Sequence, residues 1–225
     1  MIWKNMVWWK DYQLWKVIKC KCFLNQRGRK MKEELINKIR QLQLLISVFV
    51  FIIVAFQCWI VSGLNITEIQ VSAWGVTKDI GWMWNGSVVL VSLAILFNVI
   101  WWINKHKRLQ YKGTFYILFT FMSFCLILVG LFPSGSHRIL HEIPAFIYFF
   151  SYPMIIFAMA FINRKEIQYN EWIKHLSFSL LMIMIPLAFI SAFKGMAISE
   201  MLHTIIVAIW NLTLLDIKHG IKREN

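Results

Sequence analysis

Six apolar runs, each about as long as a bilayer crossing, constrain this chain more than anything else in it. They are Leu42–Leu64, Met83–Ile103, Thr114–Phe132, Ile143–Ile162, His175–Phe193 and Ile198–Ile217. A helix needs roughly 20 apolar residues to cross the hydrocarbon core. Lipid offers no partner to a bare backbone N–H or C=O, so each crossing has to be helical. The expected fold class is therefore all-α, a polytopic membrane protein built as a six-transmembrane-helix bundle. Composition agrees. The chain is 59% hydrophobic and 16% charged, against about 25% charged in soluble domains.

The net charge is +13, from 24 Lys and Arg against 11 Asp and Glu. In a soluble protein that would point to nucleic acid. Here the basic residues lie between the apolar runs, so topology explains them and no nucleic-acid partner is expected. Residues 1–41, 104–113, 163–174 and the tail hold nearly all of them, whereas the alternate connections contain only Lys78, Arg138 and Lys194. The positive-inside rule then places the N-terminus and the C-terminus in the cytoplasm of a multi-pass cell-membrane protein. Pro153 and Pro186 each remove a helical N–H, and neighbouring helices or water must fill the gap.

Three regions follow: a basic, Trp-rich segment 1–41, a transmembrane domain 42–217, and a basic tail 218–225. In the first, Trp3, Met6, Val7, Leu14, Val17 and Ile18 share one arc of a helical wheel, with Lys10 and Lys21 intruding. Such a helix lies in the inner interface, its lysines snorkelling toward anionic lipid. A solvated basic tail is the plainer alternative. A second plausible start stands at Met31. The segment lacks the apolar core of a cleaved signal peptide. Cys20 and Cys22 could bind metal or carry a lipid, but two unaccompanied cysteines more often do neither, and the four cysteines imply no disulfide framework.

The connection 65–82 is the longest on the outer side. Ile69, Val71 and Ala73 alternate with Gln70 and Ser72, as in a short extended piece, while Gly75 and Gly81 stop anything longer. Trp74, Trp82 and Trp84 suit the headgroup level. The connection from Val129 to Glu142 is a polar bend between two apolar runs. His137 and His141 are i,i+4, as are Arg138 and Glu142; the latter two can simply pair. Glu200 and His203, i,i+3 at the start of the sixth run, place a carboxylate and an imidazole on one helix face. Together His137, His141, His203 and Glu200 offer a ligand set for zinc or another divalent metal, with a position left for water. Asp79, Asn85, Ser134, Arg138 and Glu142 complete a candidate outer polar pocket. The plain reading is that ionisable groups at span ends tolerate the interface well.

No Asp, Glu, Lys or Arg lies in the middle of a run. Gln57, Asn98, Ser123, Ser151, Tyr152 and Asn211 are the polar residues at depth, where interhelical hydrogen bonding is their usual role. A coupled transporter normally has an intramembrane charge, so a small permease loses ground. His106, His175 and His219 sit in or beside the basic connections, which argues against haem between helices. No phosphate loop, dinucleotide fingerprint, CxxC, HExxH or catalytic triad is present.

Ser72-Ala-Trp-Gly75 followed by Trp84-Asn-Gly-Ser87, and Gly130-Leu-Phe-Pro133 followed by His137 and His141, together resemble a family. It is the bacterial and archaeal six-helix membrane family known as domain of unknown function 998, itself distantly similar to Frag1/DRAM-type membrane proteins. The likeness runs from about Leu42 to Ile217. It implies a six-helix bundle with His141 in a shared outer site, and implies no activity. The family's pattern often carries an acidic residue shortly after the Pro, where this chain has Ser134-Gly-Ser136; that departure weakens a metal site carried over by resemblance.

The leading expectation is an integral membrane protein without legible catalysis, whose outward pocket binds a lipid headgroup, a metal or a partner. The rival is a metal-dependent membrane hydrolase acting on lipids, which requires at least three of His137, His141, Glu142, Glu200 and His203 to converge.

Overall fold

The computed structural model of the protein describes residues 2–63, 65, 71–133, 138–192 and 196–214, with side chains described outside 2–30, 33, 71–72, 138 and 189–192. The chain divides into two compact units, Met1–Leu42 and Gln43–Asn225. The first is helical, the leading part of α1 (Ile2–Ser62). Its Lys38–Glu34 pair, 3.4 Å apart and largely solvent-facing, contributes little.

The second unit holds the rest of α1 and five further helices, α2 (Gly81–Lys105), α3 (Lys112–Leu131), α4 (Arg138–Ile162), α5 (Tyr169–Ala192) and α6 (Ala197–Thr213). Helices adjacent in sequence pack together from α2 to α6, and α6 returns against α2 to close the ring. Along α2 the buried positions Trp84, Val88, Val91, Ile95, Asn98 and Trp102 step by three or four, the stripe that keeps one helix face inward. Leu44, Ser47, Phe51, Val54 and Cys58 do the same on α1, where Phe51 meets Trp84 at 5.2 Å between ring centres. The opposite faces carry Phe49, Phe97, Ile117, Phe146, Phe150 and Met184, all exposed. In water so much bare apolar surface would aggregate, whereas acyl chains solvate it.

Among the described residues, five helical stretches are long and apolar enough to cross a membrane: Glu34–Ser62, Gly81–Lys105, Lys112–Leu131, Ile139–Ile162 and Tyr169–Ala188. α6 has 17 described residues, about 26 Å at 1.5 Å per residue, slightly short of the core. The chain is thus a multi-pass, all-helical integral membrane protein.

Three local expectations need correction. Val71–Val76 is a 3-10 helix rather than an extended piece. Within it Trp74 is fully buried and edge-on to Trp84 at 5.2 Å. Of the three tryptophans expected at headgroup level, only Trp82 is exposed. Trp74 and Trp84 belong to the core. The fourth helix also starts earlier than the apolar run, at Arg138, so His141 and Glu142 are helical.

Candidate functional site

The motif residues form a joint at one end of the bundle. A Cβ on Gly75 would sit 2.5 Å from Asn85 Oδ1 and 3.1 Å from Pro133 Cβ, so a larger residue here would displace the Asn85 side chain. Asn85 Nδ2 donates to the Gly75 carbonyl at 3.2 Å. Gly81 faces the Gly75 carbonyl oxygen, too close for a Cβ. Gly130 brings α3 onto α2, where a Cβ would lie 2.9 Å from Val89 Cγ2 and 3.0 Å from the Asn85 carbonyl. Asn85 therefore anchors the joint and is absent from the lining of the cavity beside it.

That cavity is an apolar crevice of about 520 Å³, counting open space at its mouth. Trp84, Val88 and Val91 from α2, Leu126 and Val129 from α3, and Phe51 from α1 form one wall. His141, Ala145 and Phe149 face it from α4, and Glu200, Met201 and Thr204 from α6. His141 and Glu200 are the ionisable groups in this lining. His141 is buried, and its Nδ1 lies 2.8 Å from the Phe132 carbonyl, just past the end of α3. A carbonyl only accepts, so Nδ1 donates and the neutral ring keeps a lone pair on Nε2.

His203 stands apart from this lining. Ser199 and His203, four apart on α6, reach the carbonyls of Pro186 and Met182, four apart on α5, at 3.1 Å each. Met182 is the residue whose helical partner Pro186 removes. The His203 Nδ1–H supplies that missing donor, as the sequence required of some neighbour. Its ring packs edge-on against Phe149 at 4.8 Å and Tyr148 at 5.7 Å. The i,i+3 spacing thus splits the pair: Glu200 turns to the crevice and His203 to α5.

Of the other expected pocket residues, Asp79 and Glu142 are exposed. Arg138 is placed as the first residue of α4, while Ser134 and His137 lie outside the described residues. Among the described residues, no three His, Cys, Asp or Glu side chains gather as a metal site. The apolar half of the lining went unread in sequence, though its signal was present: positions 141, 145 and 149 form one stripe of α4, as do 84, 88 and 91 of α2.

The opposite, basic end is polar in a different way. Trp210 Nε1 donates to His175 Nδ1 at 3.0 Å, and His175 is fully buried beside Trp102 at 5.3 Å. His106 places Nδ1 2.9 Å from the Trp102 carbonyl. Asn163, also fully buried, accepts from Gln110 N at 2.6 Å and donates to the Met159 carbonyl at 3.0 Å. Midway, Asn98 Nδ2 donates to the Asn211 carbonyl at 2.7 Å.

Compared with known proteins, no curated protein and no solved structure matches the chain. One family model does, over residues 44–215, the same stretch that forms α2–α6, the last third of α1 and the motif joint. The chain belongs to the family described as Protein of unknown function (DUF998).

Proposed function

We propose that the crevice binds a lipid, with the headgroup at His141 and Glu200 and the acyl portion against the apolar wall. The observation that carries this reading is the lining: one acidic and one basic-capable side chain in an otherwise almost wholly apolar crevice. An amphiphile matches such a division; a fully hydrated solute would leave the wall wet. His141 is four residues into α4 and Glu200 four into α6, so both sit at the end of the bundle away from the Lys- and Arg-rich connections. With those connections in the cytoplasm, the crevice opens toward the outer leaflet. The metal-hydrolase reading needs a third ligand; His141 and Glu200 share the crevice, and His203 is engaged with α5.

Native mass spectrometry of protein extracted with its lipids tests the proposal. Wild type retains one amphiphile through a detergent wash, and Ala145→Phe, which fills the crevice, loses it. Equal retention by the two would remove the reading.

A further inference from the structure

Behind the crevice lies a second pair of polar groups. His203 Nε2 and the Tyr148 hydroxyl are both buried and have no hydrogen-bond partner among the described residues. Their rings are 5.7 Å apart, centre to centre, at an interplanar angle of 72°. Phe149, which lines the crevice, also packs against His203 and follows Tyr148 in sequence. It stands between the crevice and this pair.

The chemistry of a guest is set by what each atom can still do. The Met182 carbonyl commits His203 Nδ1 to donation at 3.1 Å, so Nε2 of the neutral ring can only accept. The Tyr148 hydroxyl can donate or accept. A group that donates to Nε2 and accepts from the Tyr148 hydroxyl serves both, and a hydroxyl does so through a single small atom. A carbonyl or ether lacks the donor. An ammonium would bring in a charge that no mid-span carboxylate balances. We infer that His203 and Tyr148 form a buried subsite for one hydroxyl group, reached from the crevice past Phe149. The hydroxyl comes from water or from an alcohol group on the crevice's amphiphile. The second source rests on the lipid-binding reading; the first does not.

Nitrogen NMR of histidine-labelled protein in nanodiscs reads the subsite directly. His203→Asn assigns the signal, because its amide nitrogen can replace the Nδ1 donor to Met182 while Nε2 is removed. If that variant fails to fold, the displacement of one resonance by Tyr148→Phe assigns it instead. The expected result is an Nδ1-protonated ring whose Nε2 resonance has the shift of a hydrogen-bonded lone pair. Oleyl alcohol and its methyl ether then separate the sources. A response of Nε2 to the alcohol alone identifies the amphiphile's hydroxyl. A hydrogen-bonded Nε2 indifferent to both identifies water, and holds even if Ala145→Phe shows that the crevice takes no lipid. An Nε2-protonated ring, or the shift of a bare lone pair with and without the alcohol, would overturn the subsite.

Discussion

The two ends of the bundle use the same residue types for different purposes. At the basic end, Trp210 donates to His175 and Gln110 donates to Asn163, two bonds that tie neighbouring elements directly to one another. At the other end, His141 is held by a carbonyl on one side while the residue lines an apolar crevice. A buried polar group that spends its hydrogen bonds on neighbours contributes to the fold. One fixed by a single bond beside open space is available to a ligand. The comparison teaches that a histidine's role here is decided by what its ring faces, the packed rings of Trp102 and Trp210 for His175 and an open crevice for His141, rather than by its depth.

The comparison breaks most easily at the joint. Gly130→Val should cost about 3 kcal/mol, at the upper end of overpacking, because α3 cannot back away from α2 without moving Asn85. Thermal unfolding in detergent would report it, and a neutral result would show that the joint is soft. At the basic end, Asn163→Leu should cost about 1 kcal/mol, since it removes the acceptor of the part-buried Gln110 N–H bond. His203→Leu should cost roughly 1 kcal/mol by leaving the Met182 carbonyl without its donor. His203→Asn should recover most of that loss.

A pH dependence sharpens the contrast further. Burial first, with a smaller push from Lys105, holds His106 below its ordinary value of 6.5, against the opposing pull of the Trp102 carbonyl. A depressed histidine favours the neutral form in the folded state. Its contribution is therefore complete above 6.5 and is lost as pH falls below that value. The acid-side fall in melting temperature should shrink in His106→Asn. The smallest stability effect belongs to the crevice: Glu200→Gln should change stability by under about 0.5 kcal/mol, yet reduce retained amphiphile in the same preparation.

The helices were legible because lipid leaves the backbone one solution, and the apolar runs mark it. The α3 end at Leu131 falls one residue from the expected stop because Pro133 ends the helix whatever packs around it. The site was legible only in part. His141 and Glu200 stood out as charges at span ends. His175 did not, because its place beside the basic connection at Lys174 masks a burial decided by Trp102 and Trp210 on other helices. Asn163 was hidden for the same reason. Asn85 stood out as polar, yet its partner Gly75 reveals a packing role that no spacing rule contains.

Photo-crosslinking with a diazirine-bearing phospholipid tests the central claim most directly, because α4 has two distinguishable faces. Ala145 and Phe149 line the crevice, while Phe146 and Phe150 face the exterior. Specific lipid binding predicts adducts on Ala145, Phe149 and the Glu200–Thr204 turn that disappear in Ala145→Phe. Adducts confined to Phe146, Phe150 and other exterior positions, unchanged by that substitution, would contradict it.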